Sequence, residues 1–70
     1  MKNMNFSENL NNLMIENKLS QALVAKSIGV SQRAVSKWLR KQAEPTATNL
    51  FNLSIYFNVS SDYLLGLSDI

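Results

Sequence analysis

QALVAKSIGVSQRAVSKWLR, residues 21–40, reads as helix-forming on both sides of a single glycine and contains no acidic residue. Leu19 and Ser20 precede it as a start signal. Ser20 is the N-cap, and Leu19 stands at the staple spacing from Val24. The first helix of the stretch ends at Ile28, Gly29 supplies the backbone freedom for a sharp turn, and Ser31 caps a second helix only two residues later. Ala25 marks where the two helices approach most closely, because a methyl group lets their backbones touch. Val24, Ile28, Val30, Val35 and Trp38 line the inside of the corner. Two short helices folded at a glycine in this way make a helix-turn-helix.

The same grammar extends outward from that corner. Val59, Ser60 and Leu64 repeat the order of apolar residue, serine cap and apolar residue already seen in Val30, Ser31 and Val35. Asn5 followed by Glu8 is an amide version of a capping box. Phe6, Leu10, Leu13, Met14 and Asn17 then share one face of a helix over residues 6–17. Pro45 and Thr46 open a fourth helix carrying Leu50, Leu53, Ser54 and Phe57, which Asn58 ends in the left-handed conformation. Gly66 stops the fifth. YFNVS, residues 56–60, has strand-like composition but is too short and too well punctuated to be a strand. The expected fold is all-α, a compact five-helix domain with the helix-turn-helix in its second and third helices.

Seventy residues provide one small domain, residues 1–70, in which most of the chain must contribute to packing. The chain has no cysteine and no histidine, so it lacks thiolate ligands, the commonest zinc ligand and the commonest general base. No catalytic site, metal or cofactor is expected, and no pocket for a small molecule. MKNMNFSENL lacks the apolar segment of a signal peptide or membrane span, which leads to the expectation of a cytoplasmic protein. The net charge of +2 is modest, but its distribution is informative. Acidic residues stand at Glu8, Glu16, Glu44, Asp62 and Asp69, whereas Lys18, Lys26, Arg33, Lys37, Arg40 and Lys41 fall in an acid-free window. Such segregation suits a polyanion, and it is equally what a solvated basic face would show.

Together these residues resemble the lambda-repressor-like, Cro-type family of helix-turn-helix DNA-binding domains over nearly the whole chain. LSQALVAKSIGVSQRAVSKWLR is similar to that family's second and third helices, and AEPTATNLFNLSIYFNVSSDYLL to its closing pair. At 100° per residue, Val35, Trp38 and Leu39 fall on the core side of the third helix. Arg33, Lys37 and Arg40 gather opposite them, with Ser36 at the edge. Such a helix fits the DNA major groove. Arginine pairs bidentately with guanine and glutamine with adenine, which makes Gln32 and Arg33 the leading base readers and Ser36 and Lys37 the next. The resemblance implies the same four positions, and it implies backbone contacts from Gln21 and Ser31. Arg40, Lys41 and Lys26 are expected at phosphates. Ser31 is needed as a cap in any case, Gln21 can serve as part of one, and Lys26 can be merely solvated. Two departures stand out: relatives often place glutamate where this chain has Leu39 and glycine near Lys41. Either Lys41 adopts the left-handed conformation at about 1 kcal/mol relative to glycine, or the helix runs on through Gln42.

One recognition helix reads only a few base pairs, so relatives pair two domains on half-sites about 34 Å apart. The resemblance therefore implies a homodimer on an operator in double-stranded DNA. Leu65, Leu67 and Ile70, a surplus of apolar residues beyond Leu64, are the candidate partner surface, unless they only close the core. The function that follows is a sequence-specific transcriptional regulator, most simply a repressor. The alternative is an antitoxin-like protein-interaction module whose helix-turn-helix serves autoregulation, with the apolar end holding a protein partner. RNA binding is disfavoured because no aromatic residues interleave with the basic ones on the exposed face.

Overall fold

Among the described residues, most helices begin on a side-chain oxygen, and all five end on a left-handed residue. The computed structural model describes residues 5–68. It contains α1 (Phe6–Glu16), α2 (Gln21–Ile28), α3 (Gln32–Leu39), α4 (Ala47–Phe57) and α5 (Ser61–Leu65), with no strand among the described residues. Ser20, Ser31, Thr46 and Ser60 are extended residues whose hydroxyls accept the N–H three positions on. The acceptor distances are 3.1 Å from Leu23, 3.1 Å from Ala34, 3.1 Å from Asn49 and 2.9 Å from Tyr63.

α1 departs from the expected capping box. Asn5 sits at φ −101° and ψ 30°, and its side chain makes no cap hydrogen bond. That backbone is not the extended form that aims a side chain at the first turn. The Asn5 side chain instead lies against Gly66, where a Cβ built on the glycine would come within 3.2 Å of it.

The helix ends share one hydrogen-bond pattern. Lys18, Gly29, Lys41, Asn58 and Gly66 have φ between 55° and 82°. In each case the following N–H reaches back five residues: Leu19 to Met14, Val30 to Ala25, Gln42 to Lys37, Val59 to Ser54 and Leu67 to Asp62, at 2.8–3.0 Å. Leu19, Val30 and Val59 then fold onto the core. α3 therefore stops at Leu39 and does not continue through Gln42. Lys41 accepts the left-handed strain because the reversal satisfies the last carbonyls of the helix.

The core gathers Phe6, Leu10, Leu13 and Met14 of α1, Val24 and Ala25 of α2, Val35 and Trp38 of α3, Leu53 of α4 and Leu64 of α5. α1 is the strut between the two halves. It packs on α3 through the edge-on Phe6–Trp38 pair, with ring centroids 6.0 Å apart, and on α5 through Asn9, whose Nδ2 donates to the Tyr63 carbonyl at 2.7 Å. α2 bridges α3 and α4. A core this small leaves a margin of about 3–5 kcal/mol, so the turns matter.

The two glycines separate backbone strain from close packing. Nothing lies within 4 Å of a Cβ on Gly29, whereas Gly66 has Asn5 at 3.2 Å, and both have positive φ. Gly29→Ala is expected to cost about 1–2 kcal/mol through conformation alone. Gly66→Ala should cost more than Gly29→Ala, because Asn5 must also move. Urea midpoints of the two variants check the order; equal losses would show that Asn5 yields freely.

Candidate nucleic-acid interface

The corner at Gly29 is held by one carbonyl. The Ala25 oxygen accepts the N–H of Gly29 at 2.9 Å and that of Val30 at 3.0 Å, and Val30 then turns inward. This leaves Ser31 to cap α3 immediately. The first-turn N–H groups of Gln32 and Arg33 have no acceptor within the helix, and they point outward with the positive end of its dipole. Ala25, 3% exposed, is buried in the same core cluster as Val35 and Trp38 of α3.

α3 divides as its periodicity requires. Val35 and Trp38 are buried and Leu39 packs half-buried on the core, while Gln32, Arg33 and Arg40 are exposed and Ser36 and Lys37 are half-buried at the margin. Arg40 folds back along the helix, its Nη2 donating to Ser36 Oγ at 2.8 Å. The guanidinium therefore lies along the same ridge as Ser36 and Lys37. The Ser36 hydroxyl accepts this bond and keeps its own proton to donate.

Of the other expected contact residues, Gln21 is half-buried at the first position of α2, and Ser31 is exposed with its oxygen engaged by the Ala34 N–H. Lys26 is exposed in the last turn of α2, where its charge complements the helix dipole. Lys41 lies past the end of α3, and its Nζ stands 3.1 Å from Glu8 Oε1 of α1. Glu8 was not among the sequence candidates. The pairing spans 33 residues, and no local pattern announces it. The structure thus gathers Gln32, Arg33, Ser36, Lys37 and Arg40 on one helix and sets Gln21 and Ser31 at the heads of two adjacent helices. Lys41 is tethered below them.

The C-terminal candidates are spread differently. Leu65 is half-buried, Leu67 is 61% exposed, and Ile70 lies outside the described residues. No described helix is long and apolar enough to cross a membrane.

A tight corner, a cationic outward ridge on the second helix and a closing helical pair define a helix-turn-helix domain. A helix-turn-helix family model matches residues 10–64, and the chain belongs to that family of DNA-binding transcription regulators, of the XRE and lambda-repressor type. It is 46% identical over 48 residues to the repressor protein C2 of Salmonella phage P22, an alignment covering 69% of this chain and 22% of that protein. It is 37% identical over 60 residues to an uncharacterised helix-turn-helix regulator, YqaE, of Bacillus subtilis, covering 86% and 52%. The chain thus spans about a fifth and about half of these two relatives. The crystal structure of the P22 c2 repressor in complex with a synthetic operator superposes with a TM-score of 0.84 at 34% identity, covering 97% of this chain and all of that one.

The Lys41–Glu8 pair is open to solvent on both sides, at 67% and 62% exposure. A double-mutant cycle of Glu8→Gln and Lys41→Met is expected to give a coupling of about 0.2–1 kcal/mol that fades with added salt. No coupling at low ionic strength would show that the tether does not form in solution.

Proposed function

We propose that this chain is a sequence-specific double-stranded DNA-binding regulator, most simply a repressor that occludes a promoter with α3 seated in the major groove. The observation that carries the reading is the exposed face of α3, polar and cationic from Gln32 to Arg40, on a helix-turn-helix with an operator-binding relative. Gln32 and Arg33, at the head of that helix, read base edges. Ser36 and Lys37 extend the reading one turn further. Gln21, Ser31, Arg40, Lys41 and Lys26 hold the sugar-phosphate backbone. For Lys41 this means exchanging Glu8 for a phosphate, a small loss given how exposed that pair is. The acid-free window from residue 17 to residue 43 leaves little to repel the duplex.

Two copies bind together, because one helix covers too few base pairs to select an operator. The exposed Leu67, with Leu65 beside it, supports a contribution from the C-terminal end to that pairing.

Selection from a random duplex library tests the reading. An enriched inverted repeat, with half-site centres about one helical turn apart, is the expected result. Absence of any motif would overturn it. On the selected duplex, Arg33→Ala should cost about 1–3 kcal/mol and relax the preference at one base pair. Lys41→Ala should weaken all sequences alike and reduce the salt slope by about one. Equal loss on selected and random DNA for Arg33→Ala would remove it from base reading. Leu65→Asp is expected to lower cooperativity on the two-half-site duplex while far-ultraviolet circular dichroism stays unchanged; full cooperativity would exclude the C-terminal end from pairing.

A further inference from the structure

The sequence clears carboxylates from residues 17–43, and the fold returns one to the edge of that window. Glu8 stands in the first turn of α1, and its Oε1 lies 3.1 Å from the Nζ of Lys41, the residue after Arg40. Backbone fixes both ends of this pair. Lys41 sits in a left-handed turn at φ 61°; its own N–H donates to the Trp38 carbonyl at 3.2 Å, and the next N–H, of Gln42, to that of Lys37 at 2.9 Å. On the other side, Phe6 packs edge-on against Trp38 and Asn9 donates to the Tyr63 carbonyl at 2.7 Å. The turn that carries Glu8 is therefore held beside the end of α3. The other cations of the window are placed differently. Arg40 is held by the neutral hydroxyl of Ser36, and among the described residues no carboxylate lies within ion-pair distance of Lys26, Arg33 or Lys37.

We propose that Glu8 is a built-in competitor of DNA phosphate, which by holding Lys41 lowers the affinity of the interface for every duplex sequence. The proposal rests on the DNA-binding reading above, and it adds to that site a residue outside the helix-turn-helix that acts against binding. Two geometries are open to Lys41 when a phosphate arrives, and Glu8 weakens binding in both. If the ammonium leaves Glu8, an ion pair is lost as the phosphate contact forms. If it stays, its three protons can serve both groups. Two hydrogen bonds of about 3 Å then set carboxylate and phosphate no more than about 6 Å apart, inside the Debye length of about 8 Å at physiological salt, where like charges repel. In both cases the penalty passes through Lys41, because without its ammonium nothing draws a phosphate toward Glu8. A phosphate contact carries no base sequence, so the penalty falls on all duplexes alike.

The exposure of the pair limits the effect. Open ion pairs of this kind correspond to about 1.5–5-fold in an equilibrium constant at low ionic strength, fading as salt is added.

Glu8→Gln, Lys41→Met and the double variant test the assignment through equilibrium binding to a duplex selected from the random library and to a random duplex, at low and physiological salt. Glu8→Gln is expected to bind both duplexes about 1.5–5-fold more tightly than wild type at low salt, and the gain should vanish when residue 41 is Met. Glu8→Ser, also suited to the first turn of a helix, is a second variant read in the same way, with far-ultraviolet circular dichroism verifying the helices of each. No gain, a loss, or a gain on only one of the two duplexes overturns the proposal. A gain of equal size in the Lys41→Met background also overturns it, because Glu8 would then repel the duplex directly. If wild type and every variant bind no duplex, the DNA reading fails and the proposal with it; binding that does not respond to Glu8 overturns the proposal alone.

Discussion

The carbonyl of Ala25, accepting two successive N–H groups, is the interaction on which the geometry of the interface depends. It reverses the chain within the two residues Gly29 and Val30, so that Ser31 can cap α3 before any loop intervenes. A longer connection would let α3 swing, since each added residue brings two soft dihedrals. The burial of Ala25 closes the arrangement from the other side, because a larger side chain would push α2 and α3 apart and rotate the outward ridge. The direction of Arg33 and Gln32 is thus set by residues that never reach the surface of the ridge.

Charge is organised with the same economy. Acidic residues are kept out of α2 and α3, and the ion pair found among the described residues joins Glu8 of α1 to Lys41 beyond the end of the ridge. Arg40 is held over Ser36 by a neutral hydroxyl, so its positive charge stays available. Holding a long side chain in place before binding lowers the rotamer entropy lost on contact, by about 0.5–1.5 kcal/mol for each side chain immobilised. α3 therefore presents a partly organised surface: Arg33 projects from an exposed first turn, and Arg40 is already aligned along the helix.

Much of this was legible in the sequence because it is local. Serine caps declare themselves by spacing, as Ser20, Ser31 and Ser60 did, Pro45 and Thr46 marked the opening of α4, and Gly29, Asn58 and Gly66 declare left-handed turns by residue type. The core positions followed from helical periodicity. What was not legible is non-local or runs against type. Lys18 takes a left-handed turn that nothing in its identity requires, and Lys41 takes one of the two conformations its residue type left open. In both, the five-residue hydrogen bond outweighs a conformational cost of about 1 kcal/mol. Asn5 has the identity of a cap but the wrong backbone, because the turn at Gly66 comes from the far end of the chain to press on it. On α4 the periodicity named the inward residues Leu50, Leu53 and Phe57 and left Phe51, Ile55 and Tyr56 without a reading; the structure exposes these three.

That last point bears on how the domain divides its work. α1 and α2 link α3 to the closing pair, and no residue assigned to DNA lies on α4 or α5. Changes on the exposed ridge of α3 can therefore be made without touching α4 or α5. Coupling between the two faces runs through the packed core, where Trp38 of α3 and Phe6 of α1 make the edge-on contact. A core of this size has little stability to spare, so the two faces are independent in chemistry but share one margin. Loosening Phe6 or Trp38 would disturb both faces at once, whereas a change at Arg33 or Ile55 disturbs one.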